Sequence, residues 1–158
     1  MNAEEDKMNA LVVYDSQFGN TEKIARAIAG GLGATRVVRI GDASAAMLAG
    51  VDLVVMGSPT VAWKPTPAVT AFVDGLAGNA LQGVAAATFD TRVRSRFGRL
   101  GGLAGPKLAA ALTAHGAHVV LPAEGFFVAG KEGPLAEGEL ERATAWGQAL
   151  LRTHAEHH

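Results

Sequence analysis

The sequence predicts a three-layer α/β domain built on a parallel, doubly wound sheet, and three observations carry that prediction. Five short apolar runs alternate with five helical patterns in one domain of 158 residues, the pattern of strands joined by crossover helices. The run Asp52-Leu53-Val54-Val55-Met56-Gly57 is apolar at successive positions, as in a central strand covered on both faces. The first apolar run, Leu11-Val12-Val13-Tyr14, passes through the loop Ser16-Gln17-Phe18-Gly19-Asn20-Thr21 into an amphipathic segment. In such sheets ligands bind beyond the carboxyl ends of the strands, near the topological switch point.

Taken in order, residues 2–7 read as a solvated acidic tail, and 1–9 as a disordered segment before a domain spanning 10–153. Strand one covers 10–14. The first helix runs to about Ala29, where Gly30, Gly31 and Gly33 are expected to end it. Thr35 to Ile40 is strand two, and Arg36 and Arg39 place it at an edge. Asp42 or Ser44 caps a short helix through Leu48. After the third strand, Thr66 and Pro67 form an N-cap and first-turn pair for a helix to about Leu76, with Val69, Phe72 and Val73 inward. Val84 to Phe89 is strand four, and 90–102 a long Arg- and Gly-rich loop. Pro106 to His115 is a helix. His118 to Leu121 is strand five, extended or flanked by Phe126-Phe127-Val128. Glu137 to Arg152 is the last helix, with Leu140, Ala143, Trp146, Leu150 and Leu151 on its apolar stripe, and 154–158 is a frayed His-rich end.

Composition narrows the function classes. The chain has no cysteine, which excludes disulfides, thiolate metal sites and thiol chemistry. A net charge of −1 gives no general attraction to nucleic acid. No apolar run is long enough to span a bilayer and no signal peptide opens the chain, which fits a cytoplasmic protein started at Met1 or Met8. The positive charge is local: Arg92, Arg94, Arg96 and Arg99 crowd one stretch.

The loop 16–21 carries the chemistry. A loop between a parallel strand and a helix N-terminus presents free backbone N–H groups, and the helix dipole favours negative charge there. Ser16, Asn20 and Thr21 add hydroxyl and amide donors, and Gly19 lets the backbone approach a ligand. No Lys or Arg lies in the loop, so it would hold phosphate with neutral donors. The alternative, that Asn20 or Thr21 merely caps a helix, accounts for one residue of the string. Two further loops, 57–67 and 88–102, reach the same sheet edge.

Together these loops resemble those of the flavodoxin family of flavin mononucleotide (FMN) proteins. Ser16 to Thr21 is similar to the family's phosphate loop, with Gly19-Asn20-Thr21 intact and Phe18 in place of the usual Thr. Gly57-Ser58-Pro59-Thr60, followed by Val61 and Trp63, is similar to the segment that flanks the flavin ring. The resemblance implies a strand order of 2-1-3-4-5. It also implies a cofactor, FMN, with Ser58 and Thr60 near the ribityl hydroxyls and Trp63 stacked on the ring. By the same analogy, backbone from Thr88 through Phe89, Asp90, Thr91 and Arg92 borders the pyrimidine edge. The family often places a Tyr over the second flavin face. The one Tyr here is Tyr14, so Phe89, Arg92 or Phe97 would cover the ring, or it stays open. Arg near the pyrimidine would favour the anionic reduced flavin and raise its potential.

Other motifs carry less. Gly125 to Lys131 spells G-x-x-x-x-G-K, but Glu132 follows where Ser or Thr belongs. No G-x-G-x-x-G follows strand one. Asp15 alone does not make the acid cluster of a receiver domain, since the third strand ends in Gly57-Ser58. Trp146 is core, and the histidines receive no role. No catalytic residues and no metal ligands stand out. The reading is therefore an electron-transfer protein carrying one or two electrons on non-covalent FMN. Its partner would be a redox protein meeting the Arg92–Arg99 loop, with no nucleic acid and no membrane span. Two rivals share the fold: an FMN-dependent quinone reductase or protoporphyrinogen oxidase-like enzyme, and a flavin-less partner-binding module.

Overall fold

The computed structural model describes residues 8–33, 35–61, 64–93 and 103–156. Strands β1 (Ala10–Tyr14), β2 (Arg36–Arg39), β3 (Leu53–Pro59), β4 (Ala85–Val93), β5 (His118–Val119) and β6 (Glu124–Val128) form one parallel sheet. Its order is β2-β1-β3-β4-β5, with β6 also paired to β4. Helices α1 (Asn20–Leu32) and α4 (Glu139–Glu156) cover one face, and α2 (Pro67–Asp74) and α3 (Ala104–Ala114) the other. This is the expected doubly wound fold in the expected order. The fifth sheet position is shared. β5 pairs with Ala85 and Ala86, the chain steps away, and β6 rejoins β4 from Phe89 to Val93.

Each face has its own core. Ile24, Ile28, Phe89, Phe126, Trp146 and Leu150 are buried between the sheet and the α1/α4 layer. Phe89, Phe126 and Trp146 meet edge to face with ring centroids 6.2–6.3 Å apart, the arrangement that aromatic quadrupoles favour. Leu11, Val13, Val54, Met56, Val69, Val73, Leu108 and Leu112 fill the opposite side. Val12, Val13, Val54 and Val55 are inaccessible to solvent, as strands sandwiched between helix layers must be.

Several boundaries differ from the sequence expectations, each for a physical reason. Helix α1 runs through Gly30 and Gly31 and ends at Gly33, whose φ is +95°. A Cβ on Gly31 would lie 2.1 Å from the Thr144 carbonyl oxygen, and one on Gly147 2.2 Å from that of Ile28. These glycines are contact points between α1 and α4, not helix stops. The short helix expected before Leu48 is a pair of 3₁₀ turns, Ile40–Asp42 and Ala45–Leu48, and neither has a side-chain cap. Strand β4 continues to Val93, so 90–93 is sheet rather than loop. On α4 the buried stripe is Glu139, Ala143, Trp146, Gly147 and Leu150, leaving Leu140 and Leu151 exposed. Glu139 earns its inward place by accepting the Phe127 N–H and binding Arg142. Arg142 also reaches Glu124 and the Gly125 carbonyl and lies 4.4 Å over the Phe126 ring. Its hydrogen bond to Glu139 raises the guanidinium pKa above the ordinary value against the cost of burial, so this tie between β6 and α4 stays charged.

The ends of the fold reach further than the sequence suggests. Asn9 exchanges backbone and side-chain hydrogen bonds with Asp52 and Gly50, and Met8 packs on the core. The last helix continues past Arg152 through His154 to Glu156.

Candidate functional site

Beyond the end of β1 the chain makes a tight turn organised by Ser16. Its buried Oγ accepts from the Gly19 N–H at 3.0 Å and, more weakly, from Glu22 N–H at 3.4 Å. Asp15 secures both sides: one carboxylate oxygen accepts from Ser16 N–H at 2.8 Å and the other from the Thr66 hydroxyl at 2.6 Å. Arg39 of β2 donates to the Ser16 carbonyl at 2.7 Å. The turn leaves Gly19 at φ +89°. A Cβ there would meet nothing within 4 Å, so the left-handed dihedral, not space, selects glycine.

The helix start is open to a ligand. Gly19 is the N-cap residue and no side chain caps α1. Neither Asn20 nor Thr21 therefore plays the capping part considered above. Among the described residues, the N–H groups of Gln17, Phe18, Asn20 and Thr21 have no protein acceptor. Backbone donors at a helix N-terminus are costly to leave without a partner and well placed for an anion. The side chains of Asn20 and Thr21 are engaged elsewhere. Asn20 Nδ2 donates to the Glu132 carbonyl at 3.2 Å, and the hydroxyls of Thr21 and Thr91 share a bond of 2.7 Å.

The second loop divides its residues between cleft and scaffold. Ser58 is fully buried; its hydroxyl donates to the Pro59 carbonyl and accepts from Thr66 N–H at the start of α2. Pro59, Thr60 and Val61 face the cleft. Thr60 N–H donates to the Thr91 carbonyl at 2.9 Å, which holds the loop against β4. Val61 and Lys64 exchange two backbone hydrogen bonds. Trp63, the expected stacking residue, lies outside the described residues.

Strand β4 turns most side chains of the third expected segment into the interior. Thr88, Phe89 and Asp90 are all inaccessible to solvent. The Thr88 hydroxyl donates to the Gly105 carbonyl. Phe89 belongs to the aromatic core, and a Cβ on Gly57 would come within 2.0 Å of its ring, so it cannot cover a ligand in the cleft. Asp90 binds Arg92 through two contacts of 2.5 and 2.6 Å and accepts from Gly105 N–H at 2.8 Å. Thr91 and Arg92 do line the cleft, but the Arg92 charge is already paired. Arg94, Arg96, Phe97 and Arg99 lie outside the described residues.

These segments meet in one cleft of about 320 Å³, bordered by Gln17, Phe18, Asn20, Thr21, Pro59, Thr60, Val61, Thr91, Arg92, Val93, Val128 and Lys131. Its walls come from the ends of β1 and β3, where the connections diverge, and from the ends of β4 and β6. That is the switch point where this architecture takes ligands. Three large apolar side chains are exposed at it: Phe18, 46% accessible, Val61, 36%, and Val93, 47%. Sequence reasoning missed Val93, Val128 and Lys131. The string ending in Lys131 was visible, but only the path of β6 shows where it leads.

The family model of the flavodoxin domain matches residues 11–94, more than half of the chain. The chain belongs to the flavodoxin family. Solved structures agree on the fold. A flavodoxin from the domain Archaea is 24% identical, with a TM-score of 0.79 over 94% of this chain and 99% of that one. A flavodoxin, WrbA-like protein from Agrobacterium tumefaciens is 22% identical, with a TM-score of 0.76 over 96% and 99%. Oxidised Flavodoxin 1 from Bacillus cereus is 23% identical, with a TM-score of 0.73 over 95% and 99%. No curated protein matches the chain in sequence. Among the described residues of this flavodoxin-family chain, no helix is long and apolar enough to cross a membrane.

Proposed function

We propose that this protein binds one FMN non-covalently in the cleft and serves as an electron-transfer protein. The observation that carries the reading is the set of four N–H groups at the start of α1, from Gln17, Phe18, Asn20 and Thr21, that have no acceptor among the described residues. That donor set suits a phosphate monoester: neutral, backbone-borne and aligned with a helix dipole. The Ser16 hydroxyl accepts two N–H groups and retains its own hydrogen to donate. Thr60, Val61 and Thr91 offer the mixed polar and apolar wall that a ribityl chain and a flat ring require.

When bound, FMN supplies one- or two-electron redox chemistry; the chain supplies position, electrostatics and shielding from water. Gly19 fixes the direction of the phosphate donors. Asp15, Arg39 and Thr66 hold the loop in that shape before a ligand arrives, which limits the ordering cost of binding. Val93, exposed at the mouth, is suited to shield the ring, and Trp63 is the residue we assign to stacking. The partner would be a redox protein that docks over this mouth, where only Arg92 and Val93 of the Arg92–Arg99 stretch are described. The pairing of Arg92 with Asp90 argues against a potential raised by Arg92.

The test is a titration of the purified protein with FMN, following flavin and tryptophan fluorescence, with riboflavin as control. Tight FMN binding with quenching, and much weaker riboflavin binding, is the expected result. Failure to bind either flavin would overturn the reading in favour of a partner-binding module. Rapid turnover of a quinone by the loaded protein would move it to the enzyme class.

A further inference from the structure

Among the described residues two cations line the cleft, Arg92 and Lys131. Arg92 is consumed by the buried Asp90 carboxylate. Lys131 is exposed and has no carboxylate within ion-pair distance among the described residues. The segment that carries it is built. Beyond β6, Ala129 N–H donates to the Pro134 carbonyl at 2.8 Å and Ala136 N–H to that of Phe127 at 2.8 Å, closing a loop at the strand end. Within it Gly133 N–H donates to the Gly130 carbonyl at 3.0 Å. The loop is seated on the start of α1. Asn20 Nδ2 donates to the Glu132 carbonyl, and Gly133, at φ +106°, lies so near that an added Cβ would come within 2.9 Å of the Asn20 amide.

We infer that residues 129–134 form a fourth loop of the site and that Lys131 supplies the countercharge for the phosphate of the bound mononucleotide. This rests on the reading of the cleft as an FMN site. A phosphate monoester carries close to two negative charges at neutral pH, and the donors of loop 16–21 are all neutral. A lysine ammonium is a compact point charge that pairs with phosphate without a fixed geometry. The side chain of Asn20, which the string Gly19-Asn20-Thr21 would otherwise offer to the ligand, instead anchors the loop that brings this charge.

The test compares the wild-type protein with Lys131→Gln and Lys131→Arg, titrated with FMN and with riboflavin at low and high ionic strength. Lys131→Gln is expected to weaken FMN binding about tenfold at low salt and to leave riboflavin binding unchanged. It should also flatten the salt dependence of FMN binding, because an exposed charge pair is screened by salt. Lys131→Arg should retain most of the FMN affinity. Equal FMN affinity in wild type and Lys131→Gln would overturn the inference. So would equal losses for both flavins, which would place Lys131 at the ring or make it a prop for the loop. Salt-independent FMN binding by the wild type would overturn it without any variant. A wild-type protein that binds neither flavin would fail the FMN reading itself, and this inference with it, a result distinct from an unaffected variant.

Discussion

The two ends of the cleft are made differently. At the α1 end the backbone offers donors that nothing among the described residues takes up: the N–H groups of Gln17, Phe18, Asn20 and Thr21. At the β4 end nearly every polar group is already spoken for. Thr88 binds Gly105, Asp90 binds Arg92 and Gly105, and Thr91 binds Thr21 and Thr60. On the function proposed above, one end receives the ligand and the other holds the sheet and α3 in place beneath it. A substitution at the first end should therefore change affinity, and one at the second should change stability.

The largest effect is expected from Asp90→Ala. It leaves the Arg92 guanidinium, partly exposed at the cleft, and the buried Gly105 N–H without their shared partner, the fully buried Asp90 carboxylate. Breaking a buried ion pair by removing one member costs about 3 kcal/mol or more, to be read from urea denaturation. FMN and riboflavin affinities should fall together, if at all. A loss of under about 1 kcal/mol would mean that this end is less committed than its hydrogen bonds imply. Next comes Gly19→Ala, which strains a left-handed residue without any clash. It should cost about 1 kcal/mol of stability and weaken FMN about tenfold while sparing riboflavin. A loss shared by both flavins would contradict the division of the cleft.

Thr21→Val tests the seam between the two ends. It strands the buried Thr91 hydroxyl and should cost about 1–2 kcal/mol in the same denaturation assay. Replacing both threonines by Val should recover part of that cost, because removing both partners of a buried hydrogen bond is cheaper than removing one. The smallest effect is expected from Phe18→Thr. It exchanges an exposed ring for a hydroxyl beside the free N–H groups and should tighten FMN about threefold. Stability should stay within about 0.5 kcal/mol.

The receiving end was legible because its logic is local. A strand, a polar loop with one glycine and a helix start lie consecutively in the chain, so the donors at 16–21 follow from the order of residues. The strand order followed from the family resemblance, and the buried Trp146 from helix periodicity. The committed end was obscured because its partners are distant or share a strand face. Asp90 and Arg92 read as loop residues, yet positions two apart in a strand point the same way, which lets them neutralise each other. Gly31 reads as a helix stop until the last helix is seen to cross it at Gly147. Leu140 lost its expected place to Glu139, whose carboxylate is satisfied by a β6 N–H and by Arg142. Lys131 could not be assigned from spacing, because only the return of β6 to β4 directs the following loop toward α1.

The close crossing of α1 and α4 at Gly31 and Gly147 has a consequence for the order of events as the chain is made. Ile24 and Ile28 of α1 share their core with Ala143, Trp146 and Leu150 of α4, from opposite ends of the sequence. Contacts of such separation form late, since the entropy of closing a long loop must first be overcome. On the ribosome, residues 16–21 emerge well before 139–156, the helix against which α1 packs. The loop proposed to hold the phosphate is thus made well before the helix that steadies it, and would become competent only after that helix docks.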